Sequence, residues 1–325
     1  MKLYGKQETL RRIGTYAQSG RMPHGILLTG DEGVGKRVVA DYIAMLLMCE
    51  KGGNEPCGRC NECMRCSEHI HPDVVYPLRE SKNGKYTVGE ITEFIAECGK
   101  LPNDREFRIC VFENIDEMNA SCQNALLKFI EEPQHFNRFI FTCQDRSLVL
   151  ETIISRVVQI NVPLADREEC LQALEDNGIE RAEGEKLFRM FGGSIGRCLN
   201  SGKDENEMEM FTLAERIAEE ILRDNEYGCL TGFIMAKNRE NLGFVLRNLS
   251  DIFGNAAMVT MGGRKYGFFS PVSERIAVDM SLERINKIYE ISGELLRALD
   301  FNPNVQIFSA GCCARLFATE EKAEG

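Results

Sequence analysis

A short apolar run, a glycine-rich loop and a helical segment follow one another without a break near the start of this 325-residue chain. His24-Gly25-Ile26-Leu27-Leu28-Thr29 reads as a buried strand. Gly30-Asp31-Glu32-Gly33-Val34-Gly35-Lys36 has the spacing G-x-x-x-x-G-K, and Arg37 to Leu47 carries helical periodicity. In that order the backbone N–H groups of residues 33 to 36 point at the helix N-terminus, where the dipole adds partial positive charge. The loop is therefore suited to cradle a phosphate. A plain glycine-rich turn is the alternative. Strand, loop and helix together point to an α/β domain whose parallel sheet carries helices on both faces.

The residue after Lys36 sets this loop apart. An active phosphate loop places Ser or Thr there to hold Mg²⁺, and this chain has Arg37. A guanidinium has five donors and no lone pair, so it cannot ligate a cation and would compete with one. The cradle of Gly30, Gly33, Val34, Gly35, Lys36 and Arg37 is expected to work without Mg²⁺. Further along, Arg108-Ile109-Cys110-Val111-Phe112 reads as a strand, and an active pocket would draw a metal-binding Asp and a water-polarising Glu from its end. Here that end carries Glu113 and Asn114, with Asp116-Glu117 as an acidic pair in a displaced register. The helix Asn119 to Pro133 and the strand Arg138 to Cys143 follow. Thr142, near the end of that strand, has two readings: a sensor of a terminal phosphate, or a hydroxyl satisfied by backbone.

Between the two halves lies Cys49, then Cys57-Gly58-Arg59-Cys60-Asn61-Glu62-Cys63-Met64-Arg65-Cys66, a cysteine at every third residue. The chain has 14 cysteines. Met1 to Lys6 does not read as a signal peptide and no run approaches the roughly 18 apolar residues of a membrane span, so a cytoplasmic protein with reduced thiols is expected. Each C-x-x-C turn offers two thiolates, and tetrahedral Zn²⁺ takes four. Five cysteines compete for four positions, with His69 and His71 as further candidates; a reduced cysteine-rich loop is the bland alternative. Four thiolates leave no open coordination position, which makes a bound zinc structural. The net charge of −11 counts against sequence-independent DNA binding by the bulk surface.

Leu150-Glu151-Thr152-Ile153-Ile154-Ser155-Arg156 leads into the strand Val157 to Val162. Read alone, Arg156 is a surface ion-pair residue. Three short helices then follow, Asp166 to Glu175, Ala182 to Phe191 and Ile195 to Asn200. After a polar linker from Ser201 to Asn206 the pattern is helical to about residue 318, interrupted near Gly262 to Gly267, and Glu320 to Gly325 is expected to fray. Apolar stripes at Leu282, Ile285, Ile288, Tyr289, Leu295, Leu296 and Leu299, and at Val305, Phe308, Cys312 and Leu316, read first as core faces.

These pieces in this order resemble the AAA+ clamp-loader subunits of bacterial DNA polymerase III. The residues that carry the likeness are Gly30 to Lys36, the cysteine insert, His71-Pro72-Asp73, Asn124-Ala125-Leu126-Leu127-Lys128-Phe129-Ile130-Glu131-Glu132-Pro133 and Ser155-Arg156. The resemblance implies a nucleotide-binding domain over residues 1–162 with a zinc insert at 49–66, a helical lid over 163–203 and an all-α collar over 204–325 that joins a five-subunit ring. It assigns zinc to Cys49, Cys57, Cys60 and Cys63, leaving Cys66 outside. It also makes Arg156, with Ser155, an arginine finger given to the ATP of the neighbouring subunit; Val157 stands where the family has a cysteine.

Three departures sort the subunit type. The motor subunits have Ser or Thr after the loop lysine, an Asp-Glu pair after the third strand, and a sensor arginine where this chain has Gly196, with Arg197 one residue late and so turned by about 100° on a helix. The implied protein is a non-hydrolysing subunit that holds ATP or ADP weakly or not at all. Its implied partners are the gamma/tau motor subunits, the clamp-opening delta subunit and, through the complex, the sliding clamp and primer-template DNA. A slow motor-type ATPase using Asp116 or Glu117 is the enzyme-class alternative, and a zinc-dependent nucleic-acid-binding module is the third.

Overall fold

The structure is a computed structural model that describes residues 2–77, 86–201, 205–263, 270–301 and 303–318. The chain divides into two compact units, Met1–Ala165 and Asp166–Gly325. In the first, elements run α1 (Gln7–Gln18), β1 (Gly25–Thr29), α2 (Lys36–Met48), α3 (Asn61–Ser67), β2 (Val74–Val75), α4 (Val88–Cys98) and β3 (Arg108–Phe112). Then come α5 (Ala120–Glu131), β4 (Asn137–Cys143), α6 (Glu151–Ile154) and β5 (Val158–Asn161). The strands form one sheet in the order β2-β3-β4-β1-β5. Every pairing is parallel, with Leu28 opposite Thr142 and Ile160, and Phe112 opposite Phe141.

Parallel strands joined by helices are covered on both faces, so they read as unbroken apolar runs rather than alternating ones. β3 is buried at all five positions, and β1 at its first four. One face packs Ile26, Leu28, Val111, Ile140 and Ile160 against α2 residues such as Val39, Ile43 and Leu46. The other packs Leu27, Cys110, Phe112, Phe139 and Phe141 against Ile91, Phe94, Leu126 and Ile130 of α4 and α5. Phe112 stacks on Phe141 at 5.2 Å and meets Phe94 edge-on at 5.1 Å. Burying each such ring contributes about 1.5–3 kcal/mol from area alone. Since all five strands point the same way, the loops after β1, β3 and β4 emerge along one edge of the sheet, beside the point where strand order reverses.

The second unit is helical. α7 (Arg167–Asp176), α8 (Arg181–Phe191) and α9 (Ile195–Ser201) pack on one another. α10 (Glu205–Leu222), α11 (Glu226–Met235), α12 (Arg239–Thr260), α13 (Pro271–Asp279), α14 (Leu282–Ala298) and α15 (Val305–Phe317) form a second packed set. Ile285, Ile288 and Leu295 of α14 and Cys312 and Leu316 of α15 are core residues, whereas Tyr289 is half exposed. Of the linker expected over 201–206, Ser201 ends α9 and Glu205 and Asn206 belong to α10; residues 202–204 lie outside the described residues. The break near Gly262 to Gly267 falls after α12, and its residues 264–269 lie outside the described residues, as does the tail Glu320 to Gly325.

Candidate functional site

β1 delivers the chain into the glycine loop, and two of its glycines are dictated by backbone. Gly30 has φ +152°, and a Cβ there would lie 2.5 Å from the carbonyl oxygen of Val162. Gly35 has φ +93° and is the N-cap of α2, a left-handed position that a side chain would strain. Gly33 is also left-handed (φ +74°), and Val34 is buried beneath the loop. Lys36 is 9% exposed; its Nζ donates to the carbonyls of Gly30 at 2.7 Å and Asp31 at 2.8 Å. Burial lowers the pKa of its ammonium, against the opposing pull of the Asp116, Asp31 and Glu32 carboxylates.

Arg37 turns toward the end of β3. Its Nε lies 3.2 Å from Glu113 Oε1, and its guanidinium carbon is 5.9 Å from the centre of the Tyr76 ring. Glu117 and one oxygen of Asp116, the acidic pair offered as a substitute, are engaged, while Asp116 Oδ1 is buried without a hydrogen-bond partner among the described residues. Asp116 Oδ2 accepts from the amides of Gln144 and Asp145 at 2.8 and 2.9 Å, and Glu117 accepts from Asn114 Nδ2 at 2.9 Å. Thr142 is buried, and its hydroxyl oxygen accepts from the Asn114 amide at 2.9 Å. Of the two readings open for Thr142, that contact is the backbone one.

The cysteine insert follows α2. The Sγ atoms of Cys49, Cys57, Cys60 and Cys63 lie within 4.8 Å of one another. Four thiolates about 2.3 Å from a tetrahedral Zn²⁺ are about 3.8 Å apart, so this donor set fits such an ion after a small contraction. Backbone amides support the sulfurs: Cys57 N–H donates to Cys49 Sγ and Cys63 N–H to Cys60 Sγ, each at 3.4 Å. A backbone N–H at Arg59 holds the half-buried Cys57 thiol down to about 6. Cys66 lies outside the cluster, its thiol pushed up to about 12 by burial. Neither histidine joins the sulfurs. His71 Nδ1 accepts from the Asp73 amide at 3.0 Å, which leaves its ring proton on Nε2, 2.6 Å from the Glu62 carboxylate. His69 turns instead to Tyr76 and Asp41.

Arg156 is at the surface, just past α6. Its guanidinium donates to the Thr152 carbonyl at 2.9 Å and to Ser155 Oγ at 3.0 Å, and pairs with Glu131 at 2.9 Å. The side chain is 38% exposed, so this surface pair is weakly held. Helix α6, though only one turn long, fixes the base of the arginine through buried Ile153 and Ile154.

Comparison with known proteins decides the family. A family model described as DNA polymerase III, delta subunit, matches residues 5–165. Through this domain the chain belongs to the DNA polymerase III clamp-loader subunit family. Among curated relatives, the delta-prime subunit of Haemophilus influenzae is 25% identical over 54% of this chain and 53% of its own length. The delta-prime subunit of Pseudomonas aeruginosa is 31% identical, covering 59% of each. The tau subunit of Escherichia coli is 27% identical over 53% of this chain and 26% of its own length. The chain thus spans about half the length of the delta-prime relatives it matches. Its first unit is an AAA+ P-loop domain, and its four-cysteine cluster is consistent with a zinc-binding insert.

Two features of this clamp-loader chain are visible only in three dimensions. His71-Pro72-Asp73 is structural as folded: fully buried Asp73 accepts from the amides of Asn103 (2.7 Å), Asp104 (2.8 Å) and Arg105 (3.2 Å), closing the loop before β3. Burial alone would raise the Asp73 pKa, but these donors outweigh it and hold the carboxyl below its ordinary value. Arg197, one residue past the sensor position, lies over the Phe191 ring at 5.0 Å and 3.9 Å from Asp251. The Arg37–Glu113 pair had no sequence reading, and Arg156, which read alone is a surface ion-pair residue, has its partner, Glu131, named only by the structure. Glu131 sits in a motif quoted for the family, and that proximity to the end of α5 was the only available signal.

Proposed function

We propose that this chain is a delta-prime-type subunit of the replicative clamp loader: it does not hydrolyse ATP and supplies Arg156 in trans to the ATP site of a neighbouring motor subunit. The observation that carries the reading is the Arg37–Glu113 pair. A guanidinium 3.2 Å from the acid at the end of β3 occupies ground where an active pocket assembles Mg²⁺. Asn114 adds a neutral amide where a water-polarising acid is needed, and the hydrogen bonds of Glu117 to Asn114 and of Asp116 to the Gln144 and Asp145 amides weigh against the gamma/tau-type reading. Gly30, Gly33, Val34, Gly35, Lys36 and Arg37, with Thr142, then form a relic cradle that takes ATP or ADP weakly or not at all.

Residues 1–162 are the nucleotide-binding domain in this reading, 163–203 the lid and 204–325 the collar through which the chain joins the motor subunits and the clamp-opening delta subunit. The complex acts on the sliding clamp and primed DNA; this subunit scaffolds it and completes a neighbour's active site. Zn²⁺ on Cys49, Cys57, Cys60 and Cys63 supplies folding energy to the insert. Arginine fingers are worth about 10³–10⁵ in rate in other NTPases. Arg156→Ala should leave the subunit able to assemble with its partners while steady-state ATP hydrolysis by the reconstituted complex drops; full turnover from an assembled mutant complex would contradict the proposal.

A further inference from the structure

The contacts of Arg37 do not end at Glu113. Its guanidinium carbon faces the Tyr76 ring at 5.9 Å, and the Tyr76 hydroxyl donates to Asp41 Oδ1 at 2.9 Å. Asp41 lies one helical turn beyond Arg37 on α2, so the two project from the same face. His69, two residues past the end of α3, closes the group. Its Nδ1 is 3.4 Å from the Tyr76 hydroxyl, its Nε2 is 3.7 Å from Asp41 Oδ2, and its ring meets Tyr76 edge-on at 5.7 Å. Asp41 is 9% exposed, and burial together with that carboxylate pushes the Tyr76 hydroxyl pKa far up, so the phenol remains a donor. The ring is therefore held on two sides and forms a fixed wall beside Arg37.

We propose that Arg37 is the metal-excluding residue of this pocket and that Tyr76, fixed by Asp41 and His69, is the positioning residue that aims it at Glu113. The guanidinium neutralises the acid a divalent cation would need and puts positive charge where that cation would bind. It has no lone pair with which to join a coordination shell. His69 lies three residues past the last cysteine of the insert, so the segment just after the insert also braces the side chain at the start of α2. This deepens the non-hydrolysing reading and rests on it, but it concerns metal discrimination by the chain alone and not the action of Arg156 on a neighbour.

The test is a fluorescence titration of the full chain with the methylanthraniloyl derivative of ADP, with Mg²⁺ and with chelator. Wild type, Arg37→Thr and Tyr76→Leu are compared, with circular dichroism to verify folding. Expected is no tightening by Mg²⁺ in wild type, and in Arg37→Thr a Mg²⁺-dependent gain of about tenfold or more, equivalent to about 1.4 kcal/mol. Tyr76→Leu should show a smaller gain of the same kind, because Arg37 loses its wall but keeps its charge. The ratio of affinities with and without Mg²⁺ is the readout a purely structural role for Tyr76 would not move. Mg²⁺-tightened binding by wild type, or no Mg²⁺-dependent gain in folded Arg37→Thr, overturns the proposal. An unchanged ratio in folded Tyr76→Leu overturns the positioning role. ATP hydrolysis by the assembled complex with Arg156 replaced remains a separate test, so the two readings fail separately.

Discussion

Single side chains here are decided by what their neighbours leave them. Asp73 is the clearest case: a carboxylate with no exposure survives because three backbone amides from residues 103–105 solvate it in place of water. Asp73→Asn would turn an amide NH₂ toward donors it cannot satisfy, and the expected cost is roughly 2–4 kcal/mol at neutral pH, read from urea unfolding. The pH dependence follows from the direction of the shift. A carboxyl held below its unfolded value contributes its stability above that value and loses it as pH falls through the folded pKa. The gap between wild type and Asp73→Asn should therefore be fully open at pH 7 and narrow below about pH 4, the ordinary aspartate range. A gap that stayed constant into acid would remove the carboxylate's charge from the explanation. Lys36 shows the opposite balance: burial lowers its pKa, and the loop carbonyls of Gly30 and Asp31 take its hydrogen bonds.

At the level of elements, the cysteine insert and the phosphate loop make separate predictions. Native mass measurement should find one metal ion per chain in wild type and in Cys66→Ser, and none in Cys60→Ser. Chelation should abolish hydrogen-exchange protection within residues 49–66, because apparent binding energies of structural zinc are about 10–16 kcal/mol in zinc-finger peptides and are folding energy for such a loop. Retention of metal by Cys60→Ser would displace the four-sulfur assignment. Gly30→Ala should destabilise the first unit, since its Cβ would meet the Val162 carbonyl at 2.5 Å. Strands β1, β3 and β4 were legible because a sheet covered on both faces writes continuous apolar runs into the sequence, and β5, a partly buried edge strand, was legible from Val157, Val158, Ile160 and Val162. Helix α1 was not read: its apolar signal is sparse, with only Thr9, Ile13 and Gly14 buried. β2 is two residues long and too short to leave a pattern. Helix α4 did carry a signal, the capping box of Thr87 and Glu90, which went unread. The cysteine spacing narrowed the ligands to five sulfurs and two histidines; the family resemblance set Cys66 aside, and the fold brings the remaining four sulfurs together with Cys66, His69 and His71 outside the cluster. The Arg37–Glu113 pair could not be read at all, because it joins the start of α2 to the residue after β3, segments distant in sequence that meet along one sheet edge.

Across the whole molecule, a net charge of −11 coexists with local arginines whose partners are mostly carboxylates of the same unit. No helix among the described residues is long and apolar enough to cross a membrane. What distinguishes the first unit is an asymmetry between two arginines. Arg37, 57% exposed, pairs with the acid at the end of β3, whereas Arg156, 38% exposed, pairs with Glu131 of α5. On the proposed reading the subunit gives chemistry to a neighbour and retains none for itself. The most direct measurement is steady-state ATP hydrolysis by the reconstituted clamp loader carrying Lys36→Ala or Arg156→Ala in this subunit alone, after assembly has been verified by size. The account predicts unchanged turnover with Lys36→Ala and a severalfold or greater fall with Arg156→Ala; a fall with Lys36→Ala and none with Arg156→Ala would contradict it.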